Sequence, residues 1–314
     1  MAKFHDSVPI EPSIVSAAEK TRGAAPAPDA ADGMNVVDAR TIGAIIAETR
    51  RLTADDVERV LRYQREKGLR FGEAAVALGF ASNDDVLFAL SQQFHYPYAA
   101  LEQRKANPEL VVLNEPFSPQ AETFRAIRSQ LMMRLFHESQ DRRAVAVVSP
   151  DSGDGKSFFA ANLAVALAQL GGRTLLVDAD MRSARQHTVF GIDNRAGLSG
   201  ILSGRSESKV FQQVAGVPGL FILPVGVTPP NPVELVERPA FAVLLRELTV
   251  KFDHVIVDTP AASIGSDFAV IASRCGSALV IGRKNVSRLS NLQALVMSLQ
   301  QTPAQVAGVI YNEH

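Results

Sequence analysis

Five apolar residues, Ala144–Val148, run straight into Ser149–Ser157, S-P-D-S-G-D-G-K-S, and from there into a helix-compatible segment, Phe158–Leu170. Few arrangements satisfy a buried strand, a glycine turn and a Lys-Ser helix start in that order. The backbone N–H groups of such a turn, together with the helix N-terminus, form a cage for phosphate oxygens. Lys156 adds a mobile positive charge, and the Ser157 hydroxyl can ligate Mg²⁺. Gly153, Asp154, Gly155, Lys156, Ser157 and Phe158 are therefore the candidate nucleotide-binding residues. The loop departs from G-x-x-x-x-G-K-[ST] in one place: Pro150 stands where the first Gly is usual.

From Ala144 onward, apolar runs alternate with helical segments. The expected strands are Ala144–Val148, Thr174–Val177, Leu220–Pro224, His254–Val257, Ala278–Ile281 and Val306–Ile310. Continuous β-branched runs separated by helices imply an α/β fold, a mostly parallel sheet with helices on both faces. Ligands of such sheets sit at the carboxyl ends of the strands. Two strands end there in acid, Val177 running into Asp178-Ala179-Asp180-Met181-Arg182 and Val257 into Asp258-Thr259-Pro260. Magnesium is usually held by one or two carboxylates, a hydroxyl and phosphate oxygens. Ser157, Asp178, Asp180 and Asp258 provide that chemistry, with Ser157, Asp180 and Asp258 as the candidate metal ligands.

The N-terminal part is organised differently. Residues 1–36, rich in Ala, Pro, Asp and Glu, cannot build a core and read as a disordered arm. Residues 37–105 contain a repeat: Thr41–Gln64 and Arg70–Gln93 share Ile42-Gly43 with Phe71-Gly72, Asp55-Asp56-Val57 with Asp84-Asp85-Val86, and Leu61 and Gln64 with Leu90 and Gln93. Thr53 and Ser82 each precede an acidic turn and an apolar-periodic run, the pattern of a helix N-cap. A small all-α domain is expected. Breakers Asn107-Pro108 and Glu115-Pro116 mark residues 106–116 as a linker to a domain at 117–314. At its start, Ile127, Leu131, Met132 and Leu135 share one helical face, with Glu122, Arg125 and Arg128 on the adjoining one.

The whole chain, 314 residues with 46% hydrophobic content and net charge −1, gives no compositional case for nucleic-acid binding. Its single cysteine, Cys275, excludes an internal disulfide and fits a reducing compartment. No apolar run approaches a membrane span, and the N-terminus lacks the apolar core of a signal peptide. A cytoplasmic protein is expected, brought to a membrane only by a partner.

The motifs together resemble those of bacterial tyrosine kinases. Apolar-D-A-D-M-R at 178–182 is similar to their Walker A′ motif. V-I-V-D-T-P-A at 255–261 is similar to their Walker B motif, with Ala261 for the usual second Pro, and Glu122-x-x-Arg125-x-x-Arg128 to their oligomerisation motif. The resemblance is nearest to the chain-length-determinant kinases of exopolysaccharide synthesis, of the EpsG type. It implies a P-loop NTPase fold using ATP and Mg²⁺, protein tyrosine substrates, a homo-oligomer, and a Wzz-type membrane chain-length determinant as activator at the inner membrane. It further implies catalytic roles for Lys156, Asp178, Asp180, Arg182 and Asp258, with Asp178 or Asp180 accepting the tyrosine proton. Of the four tyrosines, Tyr63, Tyr96, Tyr98 and Tyr311, only Tyr311 lies near the C-terminus, so it is the candidate phosphoacceptor. The alternative is an ATPase switch of the MinD/ParA type without kinase activity. That group carries a signature Lys where this chain has Asp151. The N-terminal repeat resembles a domain of type II secretion and pilus ATPases that binds cyclic di-GMP, implying a site at Arg70, Gly72, Gly79 and Gln93. In the first copy Thr41 and Arg50 replace the Arg and the second Gly.

Overall fold

The computed structural model describes residues 41–93, 107–136, 143–205 and 210–313. The arm expected at 1–36, residues 37–40 and 94–105 of the expected helical domain, and the first linker residue lie outside them.

The repeat forms four helices, α1 (Ile42–Arg50), α2 (Ala54–Lys67), α3 (Phe71–Ala77) and α4 (Asn83–Gln93). Both predicted caps are present and equivalent. Asp56 N donates to Thr53 Oγ1 (3.2 Å) while Thr53 N donates to Asp56 Oδ2 (3.1 Å). Asp85 N donates to Ser82 Oγ (3.2 Å) while Ser82 N donates to Asp85 Oδ2 (2.7 Å). Such reciprocal boxes satisfy two orphan N–H groups at a helix start. α1 packs on α4 and α2 on α3, burying Ile46, Val60, Ala74, Ala75, Ala81 and Ala89. Gly72 is imposed by this packing, because a Cβ there would lie 2.7 Å from Val86 Cγ1. The two copies place their left-handed residue at different positions. The left-handed residue is Gly79 (φ +75°) in the second copy and Arg51 (φ 51°) in the first, one place beyond Arg50. Arg50 itself ends α1 and pairs with Asp85 at 2.6 Å.

Residues 107–116 do not behave as a linker. They carry a helical turn, α5 (Val111–Asn114), and Leu110, Val112 and Leu113 are buried in the main core. The two prolines suggested breakage, but the three apolar residues between them outweigh that by burial. α6 (Pro119–Arg134) follows, with Pro119 at its first position and Ser118 capping Ala121 N. Leu131 and Leu135 are buried, with Ile127 and Met132 packed beside them.

The remainder alternates as expected: β1 (Ala144–Val148), α7 (Lys156–Ala168), β2 (Thr174–Asp178), α8 (Gln186–Phe190), α9 (Leu198–Leu202), β3 (Gln212–Gln213), β4 (Leu220–Leu223), α10 (Pro232–Glu237), α11 (Pro239–Lys251), β5 (His254–Asp258), α12 (Asp267–Cys275), β6 (Gly276–Arg283), α13 (Leu289–Gln300) and β7 (Gln305–Asn312). The sheet order is β3-β4-β2-β5-β1-β6-β7, parallel throughout except for β3. Two polar residues at an antiparallel edge leave no apolar run, which is why β3 is not legible in the sequence.

Strand alternation divides the core in two. Ala144, Ala146 and Val148 of β1, Leu175 and Val177 of β2, and Val255 and Val257 of β5 face α9–α13. Val145, Val147, Leu176 and Ile256 face α5–α8. Period-two side chains on strands covered on both faces require this split. The central runs Ala144–Val148, Leu175–Val177 and Val255–Val257 are then apolar on both faces, and no polar face distinguishes one side from the other there. The strands flanking β1 are β5 and β6, so β1 stands at the switch point where a crevice opens at the carboxyl ends.

Candidate active site

The Ser149–Ser157 loop leaves β1 at that crevice and enters α7. Gly153 (φ +86°) and Gly155 (φ +96°) adopt left-handed backbone that favours glycine. A Cβ on Gly155 would also run into the Asn312 amide. Pro150, in the place of the first Gly, uses its carbonyl to accept from Ser263 N (2.9 Å), while Ser149 O accepts from Ala262 N (3.0 Å). The loop is thereby stitched to the segment after β5, and Ala261 there is buried.

The loop is also braced from the far side. Asp154 is fully buried; its Oδ2 accepts from Asp151 N (2.8 Å) and its Oδ1 from Ser287 Oγ (2.7 Å). Asn312 Nδ2 donates to Asp154 O (3.0 Å), Arg283 Nη1 to Gly153 O (3.3 Å), and Asn291 Nδ2 to Asp151 Oδ2 (3.3 Å). The Asp154 carboxylate thus shapes the loop and is turned away from a ligand. Lys156 is buried, with Nζ donating to Ser149 Oγ at 3.2 Å.

The three acids converge behind the loop. Asp178 and Asp258 are register partners on neighbouring β2 and β5, both fully buried. Asp178 Oδ2 accepts from Arg185 N (3.0 Å) and Gln186 N (2.9 Å), and its Oδ1 from Asp180 N (3.3 Å). Burial, and then the neighbouring Asp258 carboxylate, hold the Asp178 carboxyl well above the usual range. Burial likewise pushes Asp258 up to about 6, against the lowering effect of the Gln186 amide, the Ser157 hydroxyl and the Lys156 ammonium. Asp258 Oδ2 accepts from Gln186 Nε2 (2.7 Å); its Oδ1 is buried without a partner. Asp180 uses Oδ1 to accept from Arg182 N (3.2 Å) and Ser183 N (2.9 Å). Among the described residues no three His, Cys, Asp or Glu side chains are grouped so as to hold a metal ion by themselves. The orphaned oxygen of Asp258 beside a hydroxyl fits a cation completed by phosphate oxygens, the usual habit of Mg²⁺.

A cleft of about 510 Å³ adjoins the first turn of α7, walled by Phe124, Ile127, Phe158 and Ile310 and rimmed by Tyr311 and Glu313.

The nucleotide-binding domain family of CobQ, CobB, MinD and ParA matches residues 145–314. Tyrosine-protein kinase ptk of Acinetobacter johnsonii is 33% identical over 213 residues, 68% of this chain and 29% of that protein. Tyrosine-protein kinase etk of Escherichia coli K12 is 31% identical over 209 residues, 67% of this chain and 28% of that protein. The crystallised kinase domain of the E. coli tyrosine kinase ETK superposes with a TM-score of 0.63 at 30% identity, over 68% of this chain and 84% of that domain. The chain belongs to the bacterial tyrosine kinase family.

It spans under a third of the length of ptk and etk, 29% and 28%. What aligns is a nucleotide-binding P-loop fold. Set against the tyrosine kinase motifs, the structure brings Lys156, Ser157, Asp178, Asp180 and Asp258 together and redirects the others. The Arg182 guanidinium engages Asp267 through both oxygens, at 3.3 and 3.1 Å, and only its backbone N reaches Asp180. Arg125 pairs with Glu122 at 2.5 Å and donates to Pro116 O, and Arg128 Nη1 donates to Ala166 O (2.8 Å). Tyr311 is half-exposed on β7 opposite Gly282. Arg70 is exposed at the start of α3, and Gln93 ends α4, its side chain lying outside what the structure describes.

Sequence reasoning missed Gln186, Asp267, Ser287 and Asn312. Asp267 carried a faint signal as an acid in the first turn of a helix after Gly265-Ser266. The others are single polar residues on elements far apart in the chain.

Proposed function

We propose that this chain is the catalytic part of an ATP-dependent protein tyrosine kinase controlling exopolysaccharide polymerisation and export. The observation that carries the reading is the placement of Asp180 and Asp258 at the ends of adjacent strands, with the Ser157 hydroxyl and the Lys156 ammonium of the phosphate loop acting on Asp258.

Phosphoryl transfer needs positioning and charge neutralisation more than covalent chemistry from the protein. The loop N–H groups from Gly153 to Ser157 cradle the phosphates. Lys156 leaves Ser149 to meet the β/γ-phosphates. Ser157 and Asp258 would hold Mg²⁺, which would neutralise charge on the transferring group, leaving the free Asp180 oxygen for the proton. The cleft beside Phe158 takes the nucleoside. Asp178 has both oxygens occupied by backbone N–H groups and so anchors the 178–186 loop; Asp180 is the acceptor of the tyrosine proton. As the phenolic oxygen bonds to the γ-phosphorus, its proton passes to Asp180 and the bond to ADP breaks. Arg182 serves through Asp267 as an anchor of the same loop.

A Wzz-type membrane partner as activator, location at the inner membrane through that partner, and self-association through Glu122, Arg125 and Arg128 complete the reading. No helix among the described residues is long and apolar enough to cross a membrane. Self-association would exchange the contacts that Arg125 and Arg128 make to Pro116 and Ala166. Tyr311 is an acceptor for a neighbouring copy. Cyclic di-GMP at Arg70, Gly72, Gly79 and Gln93 is tested by titration of the whole chain; Gly72 and Gly79 already have packing and turn reasons.

Incubation with labelled ATP and a Glu-Tyr copolymer decides the matter. Phosphotyrosine from the wild type, abolished in Lys156→Met, is expected. Free phosphate alone would favour the MinD/ParA-type switch, and undiminished transfer by Lys156→Met would overturn the assignment.

A further inference from the structure

Gln186, the first residue of α8, is fully buried and touches three elements of the site at once. Its Nε2 donates to Ser157 O (3.1 Å) at the start of α7 and to Asp258 Oδ2 (2.7 Å) at the end of β5. Its backbone N donates to Asp178 Oδ2 (2.9 Å) at the end of β2. The amide can sit only one way round. Flipped, its Oε1 would face a carbonyl and a carboxylate, both acceptors, and both contacts would become repulsive. Because Nε2 occupies Oδ2, Asp258 has a single unpartnered oxygen, Oδ1, and the Gln186 Oε1 is a second buried acceptor without a partner. Buried acceptors left unpaired are costly in a folded protein and mark a position completed by something else.

We infer that Gln186 is a positioning residue: by tying Asp258 Oδ2 to the Ser157 end of the phosphate loop, it fixes Oδ1 as the oxygen offered to hydrated Mg²⁺. The inference rests on the kinase reading of the same site. A side chain without N–H donors at 186 frees the Asp258 carboxylate to turn, and Oδ1 is no longer held toward the cation. Lys156 and the loop N–H groups, which hold the nucleotide phosphates, are not touched by Gln186. Nucleotide binding without metal should therefore survive its loss.

The test uses the full chain with a fluorescent ADP analogue, first in EDTA and then across a Mg²⁺ titration, for wild type, Gln186→Leu and the isosteric Gln186→Glu. Both variants are expected to bind the analogue in EDTA within about twofold of wild type. Each should need about tenfold more Mg²⁺ for half-maximal tightening, the effect of losing one hydrogen bond to a charged group. Phosphotransfer at low Mg²⁺ should fall in parallel and recover at high Mg²⁺. Unchanged Mg²⁺ midpoints in both variants would overturn the role of Gln186, as would loss of binding already in EDTA, the mark of a merely structural residue. A wild type whose nucleotide binding and turnover ignore Mg²⁺ would overturn the kinase reading itself.

Discussion

At the scale of single residues, Asp258 shows how function opposes stability. Its carboxyl titrates near 6 in the folded chain and near the ordinary 3.8 when unfolded. Between those values the folded state keeps a proton that the unfolded state has lost, so stability falls as pH rises from about 4 to 6 and stays lowered above. Asp258→Asn removes the charged form. It should stabilise the protein by about 1–3 kcal/mol at pH 8 and by almost nothing at pH 4, while abolishing phosphotransfer. Urea unfolding at the two pH values checks this, and an equal effect at both would refute it. Gly72 makes a different demand. An added methyl 2.7 Å from Val86 Cγ1 meets a stiff β-branched side chain, so Gly72→Ala should cost about 1–3 kcal/mol. Adding Val86→Ala should recover part of that loss, and a strictly additive double variant would show that the two do not meet.

At the scale of elements, the phosphate loop is held by its neighbours. Ser287, on the turn after β6, donates to the buried Asp154 carboxylate that shapes the loop. Ser287→Ala should weaken ADP binding about three- to tenfold with little change in melting temperature, since one buried hydrogen bond is lost far from the core. Unchanged ADP affinity would remove Ser287 from the site. α7 depends on Asn162 in a comparable way: its Oδ1 accepts from Val112 N (3.0 Å) and its Nδ2 donates to Glu109 O (2.8 Å) and Phe158 O (2.9 Å). Asn162→Leu strands those backbone groups and should destabilise by about 2–4 kcal/mol, with faster proteolysis between 107 and 114 as its signature.

At the scale of the whole molecule, Leu110, Val112 and Leu113 join residues 107–116 to the P-loop core. Each is buried in the core shared with α6 and α7. Burying such side chains contributes roughly 1.5–3 kcal/mol apiece, comparable in sum to the entire stability of a domain. A fragment starting at residue 107 should bind ADP as the full chain does. One starting at 117, the boundary suggested by the prolines, should unfold at far lower urea or be insoluble. Equal stability of the two fragments would return 107–116 to the status of a linker. The N-terminal repeat has a core of its own, built on Ile46, Val60 and the alanines of α3 and α4.

Much of this was legible beforehand because its causes are local. Strand, glycine loop and helix follow one another within 25 residues or so, and strands ending in Asp need only the apolar run before them. Thr53 and Ser82 announce their helices because a cap and its partner lie three residues apart. The sequence by itself therefore determined the α/β class, the phosphate loop, the acids at the strand ends and the repeated capped helices. Tertiary structure alone decided the rest, because a hydrogen bond or a buried contact between distant segments leaves no periodic trace in the chain. It turned Asp154 into a brace and Arg182 toward Asp267. It folded 107–116 onto α7, and it set Gln186 between Ser157 and Asp258, residues 29 and 72 positions away.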